Sequence, residues 1–256
     1  MRRTFAGLAS VPDMGLSPEE IAALPENRSP APWAVRARAL CWARRPDASA
    51  RRAIEAVVPE PVRANATPEL VVGALIHYES TPVGPYDEIT AVVVHRRAGT
   101  LFATVPFMAV DSPAGLVAGR ENWALPKTPA EFEDLGRPHS EQELSGTVHD
   151  MNRAVAGPGW RIEVEMTTGR IPLPAYVPPV LPLLQLGPGG EPFILRASAH
   201  GRARRARLSV RVDAPPALRD WFPAGLRTGV LLTGLRIRLP APTRSTGEAG
   251  RAARRR

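Results

Sequence analysis

The chain has 256 residues, 44% of them hydrophobic and 23% charged, the composition of a globular protein long enough to bury a core within one large domain. Its one cysteine, Cys41, excludes an intrachain disulfide; no run approaches the ~18 apolar residues of a membrane span, and the apolar stretch before Pro12 is too short for a secretion signal, so the cytoplasm is the expected compartment. The net charge of +8 does not single out nucleic acid, because Arg244, Arg251, Arg254, Arg255 and Arg256 against Glu248 put half of it in residues 240–256, and no recognition motif accompanies it.

Residues 1–30 read as an arm with one short helix. Ser17 suits an N-cap, Pro18 the first helical position, and Glu20 completes a capping box before Ile21–Leu24. From Trp33 to Trp42 the chain alternates, with Trp33, Val35, Ala37 and Ala39 on one face and Arg36 and Arg38 on the other, which predicts a strand. Ala48–Val57 reads as a helix stopped by Pro59-Glu60-Pro61. Strands are expected over Leu70–Tyr78, Ile89–His95 and Leu101–Val110, the last two joined as a hairpin across Arg96–Gly99. Ser112 caps a predicted helix from Pro113 to about Asn122, and Pro126 and Pro129 hold the chain extended around residue 127.

The second half predicts strands over Leu144–His149, Trp160–Met166, Phe193–Ala199, Arg207–Val212 and Val230–Leu239, with a proline-rich crossing at 172–190. Residues 241–256, rich in Arg, Ala, Gly, Thr and Ser, read as a basic disordered tail. The expected organisation is an arm (1–30), a single domain (31–240) and the tail (241–256). The many short strands and brief helices favour a mainly β (α+β) fold built on an antiparallel sheet or barrel. His77, His95, His139, His149 and His200 are singly spaced, and neither a glycine-rich phosphate loop nor a G-x-S-x-G elbow is present, so no metal or cofactor is expected.

One count stands out: of the 33 Lys+Arg residues only Lys127 is a lysine. Arginine replaces lysine as a surface cation but never gives up its proton, so an amine nucleophile must be lysine. Three segments surround this residue in meaning. Residues 57–61 read Val-Pro-Glu-Pro after Val57, residues 84–88 Gly-Pro-Tyr-Asp-Glu, and residues 119–127 Gly-Arg-Glu-Asn-Trp-Ala-Leu-Pro-Lys. In this order they resemble the V-P-E-P turn, the G-x-Y-x-E segment and the G-R-E…P-K motif of the acetoacetate decarboxylase family, over about residues 30–135.

The resemblance implies the acetoacetate decarboxylase type of β fold, a homo-oligomer, and a lyase forming a Schiff base with a small keto acid or ketone. It makes Lys127 the imine-forming residue and Glu88 the active-site glutamate. Arg120 and Glu121 match the motif as scaffold residues. The family's carboxylate-holding arginine has Arg38 as first candidate here and Arg36 as second. Arg38, Arg120 and Tyr86 are thus the candidate substrate contacts, Tyr86 reading equally as packing, and Glu79 is a weaker acid candidate than Glu88. In the decarboxylase a second lysine follows the nucleophile, whereas here the next residue is Thr128. Activation of Lys127 then rests on desolvation, with Trp123, Ala124 and Leu125 as its wall. An imine serves decarboxylation, aldol or retro-aldol chemistry, or dehydration, and a non-catalytic ligand-binding protein on the same scaffold is the alternative of another class.

Overall fold

A computed structural model describes residues 16–135, 151–177, 181–187, 189–222 and 224–244. In chain order the elements are α1 (Pro18–Ala23), β1 (Trp33–Arg44), α2 (Ala48–Val57), α3 (Glu60–Arg63), β2 (Thr67–Ser80), β3 (Tyr86–Arg97), β4 (Thr100–Val110), α4 (Pro113–Trp123) and β5 (Lys127–Pro129). There follow β6 (Glu131–Asp134), β7 (Arg153–Gly157), β8 (Trp160–Thr168), β9 (Leu173–Val177), β10 (Leu183–Leu186), β11 (Pro192–Leu195), β12 (Ser198–Asp213), α5 (Pro216–Arg219), β13 (Gly225–Leu239) and β14 (Thr243–Arg244). The fold is mainly β, as the sequence predicts. One sheet runs in the order β14-β11-β10-β4-β3-β2-β1-β13-β12-β8-β7-β6, with β5 paired to β4 and β9 to β12. Its pairs are antiparallel except β10–β4 and β5–β4.

Local chemistry explains the elements that the sequence predicts best. The Asp47 side chain accepts from the Ala50 amide and starts α2, whose buried Ala50, Ile54 and Val57 lie on one face. The β3–β4 hairpin turns through Ala98 and Gly99, both at positive φ (46° and 79°), between paired Arg97 and Thr100. Two left-handed residues in a two-residue loop are the geometry whose twist matches the flanking strands.

Both faces of the central strands are covered. In β4, Phe107 and Ala109 enter one apolar cluster with Leu40, Trp42, Ile54 and Phe222. Met108 and Val110 enter a second cluster with Trp33, Val35, Tyr78, Tyr86 and Trp123. Burial on both sides is why Phe102–Val110 is apolar at every position but Thr104 in place of alternating.

Several expectations change. The segment expected as one strand, Phe193–Ala199, divides into β11 and the start of β12, because the two halves pair with different neighbours, β10 and β13. The proline-rich crossing contains β9 and β10; Pro174 is the one proline on these two strands, and it falls on the short β9, which among the described residues pairs only with β12. Within the expected disordered tail, Thr243 and Arg244 pair with Ile194 and Phe193, covering the free edge of β11. The predicted strand at Leu144–His149, together with His139 and His149, and tail residues 245–256 lie outside the described residues. Among the described residues, no helix is long and apolar enough to cross a membrane.

One buried histidine gives a stability prediction. His95 is fully buried, its Nε2 lies 3.0 Å from Thr104 Oγ1, and its ring stacks on Phe102. Burial, and then the nearby Arg97 charge, push its pKa down from 6.5 to about 4. Because the unfolded chain takes up this proton before the folded one, the contribution is complete above pH 6.5 and is lost as pH falls toward 4. At about 1.36 kcal/mol per unit, that is on the order of 3 kcal/mol. Urea midpoints at pH 7 and pH 4 are expected to fall further for the wild type than for His95→Gln. Equal falls in the two proteins would contradict this assignment.

Candidate active site

Lys127 reaches its position through the end of α4. The Ser112 hydroxyl accepts from the Gly115 amide to start this helix. At its C-terminus Ala124 adopts the left-handed conformation (φ 55°), with its amide donating to Gly119 and Arg120 carbonyls. This reversal sends Leu125 and Pro126 back along the sheet, so that β5 lies parallel to β4 with Lys127 opposite Met108. Two buried side chains hold the turn. Arg120 Nε donates to the Lys127 carbonyl at 2.6 Å, and Gln185 Nε2 donates to the Val105 carbonyl at 3.0 Å and the Ala124 carbonyl at 3.4 Å.

Glu88 arrives from β3, where it pairs with Val110 of β4, two residues beyond Met108 and on the same face. Lys127 and Glu88 are therefore diagonal neighbours across β4. Their side chains meet with Nζ 2.8 Å from Oε2, an ion contact that does not have hydrogen-bond angles, at only 4% and 2% exposure. Nζ also donates to the Tyr86 hydroxyl at 3.1 Å and lies 4.8 Å from that ring's centre. On the other side, the Tyr78 hydroxyl donates to Glu88 Oε1 at 3.4 Å. Tyr78 and Tyr86 are directly paired in the β2–β3 ladder, with ring centroids 4.6 Å apart. Burial, and next the Glu88 charge, hold both phenols well above the usual tyrosine range, so they stay protonated at neutral pH.

These four polar groups lie in the wall of a cavity of about 160 Å³. The remaining lining is Trp33, Met108, Trp123, Leu125, Leu181, Leu183, Leu195, Ala197 and Leu239. The arrangement offers an amine, a carboxylate able to exchange a proton with it, and two neutral hydroxyls, in otherwise apolar surroundings.

The structure brings Lys127, Glu88 and Tyr86 together but places the predicted arginines elsewhere. Arg38 does not line the cavity. It sits in a β-bulge between Ala37 and Ala39, both of which pack in the cavity-side cluster, and is itself half-buried. Arg36 is exposed beside Arg236. Arg120 is buried with its pKa lowered to about 10 by desolvation; it does not line the cavity and donates to the Lys127 carbonyl. Glu79 is exposed and Glu121 half-buried, and neither lines the cavity. Thr128, in the place of the second lysine, is buried. Cys41 is half-buried, and burial pushes its thiol pKa up to about 12. Tyr78 is the principal contributor not anticipated from sequence; pairing opposite Tyr86 is the signal that carries it.

Gly119 supplies a space requirement. A β-carbon there would stand 2.5 Å from Lys127 Cε and 2.6 Å from Cδ, so the lysine stem occupies the place of a side chain. Gly119→Ala should raise helix propensity by about 0.5–1 kcal/mol while forcing Lys127 aside. The expected outcome is at least about tenfold lower activity together with a lower melting temperature, since the displaced lysine leaves its buried contact with Glu88, which outweighs the gain in helix propensity, and small misplacements of reacting groups are costly. Unchanged kinetics in the folded variant would contradict this role.

With this geometry in place, similarity to known proteins can be weighed. The sequence profile of the acetoacetate decarboxylase (ADC) family matches residues 48–170. No curated protein sequence matches the chain. Among solved structures, acetoacetate decarboxylase from Legionella pneumophila subsp. pneumophila str. Philadelphia 1 superimposes with a TM-score of 0.54 at 15% identity, over 87% of this chain and 90% of that one. The enduracididine biosynthesis enzyme MppR complexed with pyruvate gives 0.57 at 16% identity, over 92% and 96%. An acetoacetate decarboxylase-like enzyme from Sphingomonas wittichii RW1 gives 0.54 at 15%, over 84% and 92%. At these identities the structural likeness is one of fold.

Proposed function

Since the chain is acetoacetate decarboxylase-like, in sequence over residues 48–170 and in fold over most of its length, we propose that it is a lyase that binds a small keto acid or ketone as an imine on Lys127. The observation that carries this reading is the Lys127 amine in contact with Glu88 Oε2 at 2.8 Å in the wall of an apolar cavity. The Glu88 carboxylate stands where it can take a proton from the Lys127 ammonium and later return it. That transfer gives the free amine the reaction needs, with Thr128 in the place of a cationic neighbour.

The amine then adds to the substrate carbonyl carbon. The carbonyl oxygen takes up a proton from the Glu88 carboxyl and a second from the adding nitrogen, and leaves as water. The resulting iminium draws in the electron pair of the bond next to it. For a β-keto acid that bond joins the carboxyl group, carbon dioxide leaves, and an enamine remains. Protonation of the enamine carbon and hydrolysis by one water release the ketone and restore Lys127. Glu88 is the proton carrier in contact with the amine, a role that typically contributes about 10²–10⁴ in rate. Tyr78 holds the second Glu88 oxygen, and Tyr86 orients Nζ.

A second reading uses the same iminium for aldol, retro-aldol or dehydration chemistry. It is favoured by the lining, in which no arginine appears among the described residues to hold a substrate carboxylate. MppR, which shares the fold, is known as a complex with the condensation product of pyruvate and imidazole 4-carboxaldehyde. Both readings require the imine. Its formation and hydrolysis exchange the ketone oxygen with solvent, so ketone incubated in ¹⁸O-water should gain ¹⁸O faster with native than with heat-denatured protein. Equal exchange in the two samples, over a panel of ketones, keto acids and hydroxylated ketones, would contradict the proposal.

A further inference from the structure

The lining of the cavity also constrains the part of the substrate that does not react; this step rests on the imine reading above. All the ionisable and hydroxyl side chains of the described lining belong to one group: Lys127, Glu88, Tyr78 and Tyr86. The rest of the wall is hydrocarbon. Trp33 and Trp123 meet edge to face at 5.1 Å, and each spends its indole N–H outside the cavity, Trp33 on the Ser29 carbonyl and Trp123 on the Pro240 carbonyl, both at 2.9 Å. Met108, Leu125 and Leu195 are buried beside them, and Leu239 is half-buried and paired with Trp33. Among the described residues, no side-chain donor or acceptor of the lining is therefore directed at whatever occupies the space beyond the reacting carbonyl.

Size gives the second constraint. The cavity of about 160 Å³ is close to the ~150 Å³ of a dry cavity of apolar side chains that accepts benzene. A substrate with only a methyl group beyond its carbonyl leaves much of this space empty. A charged or strongly polar group there is stripped of water with nothing to replace it.

We propose that the substrate carries, on the side of the carbonyl away from the bond that breaks, an uncharged hydrocarbon substituent of about four to six carbons. Trp33, Met108, Trp123 and Leu195 are then specificity-determining contacts. The class includes alkyl or aryl ketones and β-keto acids with such a substituent. The carboxylate of the latter stays at the Lys127 end, where the iminium's positive charge forms.

The test compares ¹⁸O exchange into three ketones on the wild-type protein: acetone, 2-hexanone and 4-oxopentanoate, the last with a charged chain of similar length to that of 2-hexanone. The expected catalytic efficiency for 2-hexanone exceeds that for acetone by at least about tenfold, the scale on which hydrophobic pockets discriminate. It is expected to exceed that for 4-oxopentanoate by more. Acetone or 4-oxopentanoate exchanging as fast as 2-hexanone would overturn the substrate class and leave the imine intact. A parallel measurement needs no imine: toluene titrated into protein labelled with ¹³C in its methionine methyl groups should bind saturably and show a magnetisation-transfer contact with the Met108 methyl. If no ketone exchanges at all, the imine reading fails, and the toluene result decides the apolar site alone. Saturable contact at Met108 supports it, and no contact overturns it.

Discussion

Replacing Lys127 by arginine is expected to lower turnover of any ketone the protein processes by at least about a thousandfold, the scale seen when a covalent nucleophile is removed. Arginine keeps a positive charge opposite Glu88, so the electrostatic partner is retained in kind. What disappears is a nitrogen able to give up its proton and form an imine. The chain holds no other lysine, so no neighbouring side-chain amine is available to substitute. A folded variant that keeps more than about a tenth of the wild-type rate would mean that Lys127 acts as a cation rather than as a nucleophile.

Changing Glu88 to glutamine should give the second largest effect, with a different signature. The rate is expected to fall by about 10²–10⁴, the usual contribution of a positioned acid–base group. Stability should fall as well, because removing one member of a buried pair leaves the other charge without compensation, at a typical cost of about 3–5 kcal/mol. Lys127 and Glu88 are exposed by only 4% and 2%, so solvent does little to soften this. The double variant Glu88→Gln/Lys127→Met is expected to recover most of the lost stability while remaining inactive, since uncharged side chains replace buried pairs at little net cost. Denaturant titrations of the wild type, the single and the double variants check this cycle. A double variant no more stable than Glu88→Gln alone would show that the two groups are not energetically coupled.

The parts of this site that are legible in sequence are those fixed by neighbours along the chain. Ser112 and Pro113 mark the start of α4, Pro126 keeps the next stretch extended, and the solitary lysine lies inside it. The 84–88 and 119–127 segments then supply Glu88 and Lys127 through their resemblance to one family. The rest of the cavity depends on the order of strands. Leu195 enters because β11 and β10 lie beside β4, and Leu239 because β13 lies beside β1; neither adjacency has a local signal.

Arg38 shows the limit from the other direction. Alternation separates Arg36 and Arg38 from Trp33, Val35 and Ala37 correctly, but it does not say which face of the strand carries the cavity. Both faces of the sheet are covered, and the cavity lies on the side of Trp33 and Trp123. The β-strand at 243–244 was hidden for a similar reason, since its polar sequence pairs only because β11 presents a free edge.

The central claim is the covalent bond between Lys127 and a ketone, and reductive trapping tests it most directly. Native protein mixed with 2-hexanone or a β-keto acid and then treated with borohydride is expected to gain the mass of the reduced adduct of the ketone or of its decarboxylated product, and peptide mapping should place it on Lys127. A protein that consumes its carbonyl substrate but shows no borohydride-dependent adduct on Lys127 would contradict the account.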